Sequence, residues 1–357
     1  MAPLSDEFSV SLAAIGLLAG TYFFAGIVAA DIAGSAWARR IAIGPALRVC
    51  CLLCFGGNLL FALSPEFAGL VGGRLLVGVG AGIALLFGAA FAREVGGVRT
   101  LGLFGAGITL GVAAPLALGS ILEDAGVDWR VGFGVSAAMA LTALPLIPGE
   151  VPRPPRPQEP RQGLLREALT SAVWWRLELL AISVLTIPLV IGAWLVGYLS
   201  GGDEMSTAAA GGFGFALFGL SAVMRDVGGR LSAAGVSPKL LAVGGLLIAS
   251  ASLVVLAESR SVIAACVVVL LAGVGFSLPY PLFYDEGERA LPDRPLAGLG
   301  LLQVGSNAFP IFAIPLIGEA LSDGREELAF LSLAVFVAIT ALASLGPEPA
   351  APAAEPG

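Results

Sequence analysis

The sequence predicts an all-α polytopic membrane protein built from two pseudo-repeated helix bundles, five helices and then six. Three observations carry this. Hydrophobic residues make up 57% of the chain and charged residues 13%. Apolar stretches long enough to cross a bilayer follow one another almost end to end, and short motifs recur at a near-constant offset. A soluble domain carries about 25% charged residues, far more than this one. A crossing helix needs about 20 apolar residues. Inside lipid the backbone must satisfy its own hydrogen bonds, which leaves helices or closed barrels. Strand-type alternation is absent, so helices remain.

Eleven apolar segments run roughly over 10–36, 43–63, 68–92, 100–122, 130–148, 172–200, 208–231, 239–257, 261–284, 296–320 and 328–346. They divide the chain into an N-terminal bundle (1–148), a linker (149–170), a C-terminal six-helix bundle (171–346) and a tail (347–357). The linker follows from its composition: PGEVPRPPRPQEPRQG is dense in proline, which fixes φ and lacks a donor, so it continues neither flanking helix. The tail GPEPAAPAAEPG is of low complexity and is expected to be disordered.

Basic residues set the orientation. Alternating the loops puts fourteen Lys and Arg, among them Arg39, Arg40, Arg153, Arg176 and Lys239, on one side. Only Arg130, Arg260 and Arg325 fall on the other, while Arg74 and Arg225 lie within spans. The positive-inside rule makes the fourteen-charge side cytoplasmic. The chain as given is therefore expected in the cell membrane with its N-terminus outside and its C-terminus in the cytoplasm. A cysteine placed at Ser5 should react with an impermeant thiol reagent in intact cells, and one at Ala353 should not. Equal labelling, or the reverse, would refute the odd number of spans or its direction.

The repeat is read from matched positions. Asp6-Glu7-Phe8-Ser9 returns as Asp203-Glu204-Met205-Ser206, an offset of 197, and Asp31-Ile32-Ala33-Gly34 returns as Asp226-Val227-Gly228-Gly229 at 195. Gly80, Arg99 and Pro115 recur as Gly275, Arg294 and Pro310, again at 195. Two homologous bundles joined by a linker are an architecture of secondary transporters. A full apolar span precedes Asp203-Glu204, whereas nothing precedes the matching pair at residue 6. The first bundle is thus expected to lack its first helix: either the coding sequence ahead of residue 1 holds, in frame, about 20 apolar residues, or an in-frame stop there marks a true eleven-helix variant.

With these elements placed, the chain resembles the major facilitator superfamily over nearly all its length. The segment from Asp6 to Leu47 resembles family helix 2 and the loop after it, where members carry G-x-L-A-D-R-x-G-R-R. Here Gly34-Ser35-Ala36-Trp37-Ala38-Arg39-Arg40 stands instead, with Ala38 at the usual aspartate and Ala233 at its repeat position. GGRLLVGVGAGIALL (72–86) resembles helix 4, whose arginine is Arg74, and residues 107–133 resemble helix 5 and the start of helix 6. Ala114-Pro115 replaces the Gly-Pro of exchangers, so antiport is not implied. The resemblance implies a secondary active transporter working by alternating access. A narrower resemblance, Arg225-Asp226-Val227-Gly228-Gly229-Arg230-Leu231-Ser232, is to the helix 8 motif of nitrate/nitrite porters and oxalate/formate exchangers. In those families the arginine binds the anion, which implies a small anionic solute. The second arginine of the nitrate porters has no counterpart here, because the repeat partner of Arg225 is Ala30.

Arg225 leads the candidate residues. A charge within a span costs at least ~2.5 kcal/mol and marks a functional site by default, and a guanidinium matches planar oxyanions with a two-pronged fork. The alternative is an internal ion pair with Asp226, Asp31 or Asp285. The same three aspartates are the candidate coupling or gating carboxylates, since the chain has no histidine. Pro279 and Pro281 should kink their helix and free carbonyls. Tyr280 and Tyr284, four apart, share one face, as do Gln303 and Asn307 on the next span; each pair either lines the solute path or packs helices. Gly78, Gly80 and Gly82 follow no strand and form no phosphate loop, so they read as close helix packing.

The absence of histidine excludes a serine–histidine hydrolase, histidine-ligated haem and a histidine zinc site. Lys239, the single lysine, is expected in a loop and so cannot carry a retinal Schiff base. Cys50, Cys51, Cys54 and Cys266 sit in apolar runs as inert packers. Neither an enzyme nor a cofactor is indicated. The expected partners are a small solute, the lipid bilayer and a coupling proton or sodium ion, with no nucleic acid, the carrier acting as a monomer. A rival reading is a non-transporting membrane sensor or assembly partner on a degenerate carrier scaffold, suggested by the missing helix and the two lost aspartates.

Overall fold

The structure is a computed structural model that describes residues 2–32, 42–148, 169–202, 204–290 and 295–346. Among them no strand occurs. The helices are α1 (Ala2–Phe8), α2 (Leu12–Ile32), α3 (Ile43–Leu63), α4 (Phe67–Asp124), α5 (Trp129–Ala143), α6 (Ala172–Ala181), α7 (Ile187–Ser200), α8 (Thr207–Ala233), α9 (Pro238–Glu258), α10 (Val262–Gly275), α11 (Tyr280–Arg289), α12 (Pro295–Ser322) and α13 (Glu326–Ala343). Among the described residues, ten stretches are helical, long and apolar enough to cross a membrane. The segment expected over 261–284 is the exception. It breaks into the 14-residue α10 and the separate α11, with a turn over 276–279 between them. Pro279 and Pro281 supply the reason, since neither can donate to the preceding turn. The linker over 149–168 and the tail lie outside the described residues.

The chain folds as two compact units. One comprises Met1–Arg161 with Ile311–Glu319, the other Gln162–Pro310 with Ala320–Gly357. Large apolar side chains are exposed in both units, among them Leu63 at 72%, Leu146 at 81% and Ile263 at 78% exposure. A surface so apolar suits lipid rather than water.

In the first unit, α2 and α3 pack against α4 through glycine. A Cβ at Gly82 would collide with the Gly26 carbonyl, one at Gly78 with the Tyr22 carbonyl, and one at Gly80 would lie 2.8 Å from Cys54 Sγ. Gly57 and Gly73 face each other likewise, each Cβ falling 2.7 Å from the other's carbonyl oxygen. These backbones approach as closely as small residues allow, the packing mode of membrane helices. Helix α4 holds two spans, Phe67–Ala92 and Leu103–Asp124. A straight helix would separate residues 88 and 104 by ~24 Å. Yet a Cβ at Gly88 would lie 2.7 Å from the Phe104 ring, so the chain turns back between them. The expected loop is thus replaced by a bend within continuous helix somewhere between Gly88 and Phe104.

The same unit has an aromatic end. Phe8, Phe61, Phe67, Trp129 and Phe133 stack edge to face or tilted. Glu7 ties α1 to this cluster, accepting from Trp129 Nε1 at 2.9 Å and from both Arg130 terminal nitrogens. The hydrogen bonds from Arg130 hold the Glu7 carboxyl below the usual carboxylate range.

In the second unit, α6 and α7 form one span, and 67% of an 18-residue apolar stretch within it is buried, the highest such share of any span. It is the core element of that unit. Its two halves are joined by a π-turn over Ile182–Thr186. Pro188, at the start of α7, has no N–H for the Val184 carbonyl, which explains the widened turn. Thr186 Oγ1 donates to the Ser306 carbonyl at 3.0 Å and Ser183 Oγ to Thr340 Oγ1 at 3.1 Å, fixing the turn to α12 and α13. Helices α9 and α10 cross at Gly245 and Gly275, where a Cβ at Gly275 would lie 2.6 Å from the Gly245 carbonyl oxygen. Lys239 lies in the first turn of α9, not in a loop, and its Nζ donates to the Gly346 carbonyl at 3.1 Å.

Candidate functional site

Helix α8 starts at its cap Ser206, whose hydroxyl accepts from Ala209 N, and runs unbroken past Arg225. The break before α11 sets Tyr280 at the head of a new helix, and there the two residues meet. Arg225 Cζ stands 4.5 Å from the centroid of the Tyr280 ring. Such stacking contributes about 0.5–2 kcal/mol and occupies the guanidinium face. The N–H edges stay in the plane, and Nε is buried without a hydrogen-bond partner. Among the described residues Arg225 makes no ion pair. Its neighbour Asp226 is exposed and pairs with Arg230 at 2.8 Å, one turn on. The reading of Arg225 as the neutraliser of Asp226 therefore does not describe this arrangement, because successive helical residues point about 100° apart.

The other sequence candidates distribute unevenly. Asp31 ends α2, Tyr284, Asp285 and Pro281 lie on α11, and Gln303 lies on α12; their side chains are outside the described residues. Pro279 caps α11, and Asn307, half-buried, sits on α12 beside the fully buried Ser306. The structure brings Arg225 and Tyr280 together and leaves Asn307 on a separate helix. A second span arginine, Arg74, has a comparable setting in the other unit. Its Cζ lies 4.7 Å from the Phe61 centroid and 5.1 Å from that of Phe133, again with Nε unsatisfied.

Three charged residues escape a reading by composition. Arg176 and Glu286 form a buried ion pair between α6 and α11, 6% and 1% exposed. Glu178, on α6, is 7% exposed, and its Oε1 has no hydrogen-bond partner. The signal was present as Arg176-Leu177-Glu178 inside the apolar segment from 172 to 200. Counting Arg176 as a loop charge hid it. The described residues hold no cluster of metal-ligating side chains, and all four cysteines are free.

Comparison with known proteins agrees with this architecture. Polyol transporter 5 of Arabidopsis thaliana is 31% identical over 151 residues, 38% of this chain and 27% of the relative. The match thus spans about a quarter of that protein's length. Among solved structures, a bacterial homologue of the human lysosomal transporter Spinster, inward-facing and occupied, superposes with a TM-score of 0.71 at 19% identity, covering 96% of this chain and 90% of that one. A D-xylose–proton symporter gives 0.69 at 14% identity, with 94% and 88% covered. At such identities these two show the fold alone. The sequence pattern of the Major Facilitator Superfamily matches residues 1–294, and the chain belongs to that family.

Proposed function

We propose that the protein is a secondary active transporter of a small anionic solute, moved by alternating access across the cell membrane. The carrier reading rests on the family and its structural relatives. The anion rests on one observation: Arg225 is stacked on Tyr280 with its edge free of any described carboxylate. A structural arginine within a span is satisfied by an acid, because an unpaired charge in low dielectric is costly. An arginine held by its face and open at its edge is set to receive a planar oxyanion.

A neutral polyhydroxylated solute is the second reading, favoured by the matched stretch of a polyol transporter. Here Arg225 would donate to hydroxyl oxygens instead of an oxyanion. A thermal-shift screen of the purified chain separates the two. Small carboxylates and inorganic oxyanions should raise the melting temperature, by an amount that grows with concentration, while linear and cyclic polyols should not. The opposite pattern would move the assignment to polyols.

A further inference from the structure

Glu178 presents a carboxyl that pairs with no charged group among the described residues. It lies on α6 about one turn before the π-turn, 7% exposed, with Oε1 unsatisfied. It presses on the backbone of α12, where a Cβ at Gly305 would fall 2.5 Å from that same oxygen. On α6 the cation is Arg176, whose Nη2 is committed to Glu286 of α11. Residues 295–318 of α12 hold no charged residue, and neither do 182–200. The acids of α13 stand at its start, Glu326 and Glu327, far along the helix from Thr340, which meets the π-turn. On α11 the remaining cation, Arg289, lies at the exposed C-terminal end.

An ionised carboxylate in such a seam has little access to water and no described counter-charge, a state proteins avoid by holding the neutral acid. A metal cation would need several oxygens. The nearby hydroxyls are spent, Thr186 on the Ser306 carbonyl and Ser183 on Thr340. One proton requires one carboxyl oxygen. The π-turn over Ile182–Thr186 stands one turn on, and such turns recur at functional sites.

We propose that Glu178 is a proton-binding site whose neutral form closes the seam between α6 and α12. Loss of the proton to water opens that seam around Gly305, and reprotonation closes it. The proton leaves as hydronium and returns the same way, so no other reactant is needed. The role as a coupling site rests on the carrier reading. The experiment uses no solute, so its failure and that of Arg225 as an anion ligand remain distinguishable.

The full chain and Glu178→Gln, both purified in detergent, are compared from pH 5 to pH 8. Gln keeps the shape of the neutral acid and cannot ionise. The wild-type melting temperature should fall relative to the variant by about 2 °C or more as pH rises. Hydrogen exchange of the peptide covering Gly305 and Ser306 should match at pH 5. At pH 8 it should be at least about three-fold faster in the wild type, through local opening. Parallel melting curves with equal exchange at both pH values would overturn the proposal. So would a Glu178→Gln protein that fails to fold, since a seam built for the neutral acid accepts its isostere.

Discussion

Arg176→Met is expected to destabilise the protein by about 3–5 kcal/mol, the range for removing one partner of a buried ion pair. Arg176 and Glu286 are 6% and 1% exposed, and they join α6, the core of the second unit, to α11. Deleting the guanidinium removes the cation that Glu286 meets across the α6–α11 seam, at a carboxylate with little access to water. Glu286→Leu should cost a similar amount, because Arg176 already has Nε and Nη1 buried without partners and would lose its bond through Nη2 as well. The double variant Arg176→Met/Glu286→Leu should recover most of the loss, since apolar residues of similar volume replace such pairs at little cost. Thermal unfolding of the four proteins in one detergent closes the double-mutant cycle. Additive losses, with no recovery in the double variant, would show that the pair does not act as a unit. The pair also fixes the entry of α6 next to Glu178, so the single variants should alter the pH response proposed for that carboxyl.

The sequence made the helical architecture legible because the bilayer imposes a length and a polarity that few residues can disguise. The spans 43–63 and 172–200 were readable to within a residue of the helical limits, since Gly44-Pro45 and Ser171 open them and Ser64 and Gly201 close them. The glycine crossings were also legible, as Gly78, Gly80 and Gly82 show, because small residues two apart inside an apolar span have few uses besides close approach. The break at Pro279 and Pro281 was foreseen as a kink, but not that α11 would begin afresh at Tyr280. Composition misled in two places. Helix α4 continues through Arg93–Leu101, where charge had suggested a loop. Arg176, Glu178 and Glu286 sit at segment ends, where a charge looks solvated until tertiary packing covers it. Hydropathy along the chain holds no information about which helix end another helix covers, and that burial is the whole difference between a loop charge and a buried pair.

Arg225→Ala should abolish anion-induced thermal stabilisation while leaving the protein folded. The structural cost is small, because the residue stacks on Tyr280 at 4.5 Å and neutralises no described acid; the loss of that stack is worth about 0.5–2 kcal/mol. The functional cost is large. An anion present at a hundred times its dissociation constant stabilises the wild type by about 2.7 kcal/mol, and that response should vanish. Uptake of the same anion should fall by at least about ten-fold. Arg225→Lys should also largely fail, since an ammonium is a point charge without the planar fork and stacks poorly on an aromatic face. Tyr280→Phe keeps the ring and should retain most of the response, whereas Tyr280→Ala frees the guanidinium and should weaken it. The contrary outcome has a clear form. If Arg225→Ala is poorly expressed and Asp31→Asn or Asp285→Asn restores both expression and anion response, the arginine serves a carboxylate and not the solute. Normal uptake by a well-folded Arg225→Ala protein would reject both roles, and the path of the solute would then have to be sought around Arg74, held over Phe61 and Phe133 in the other unit.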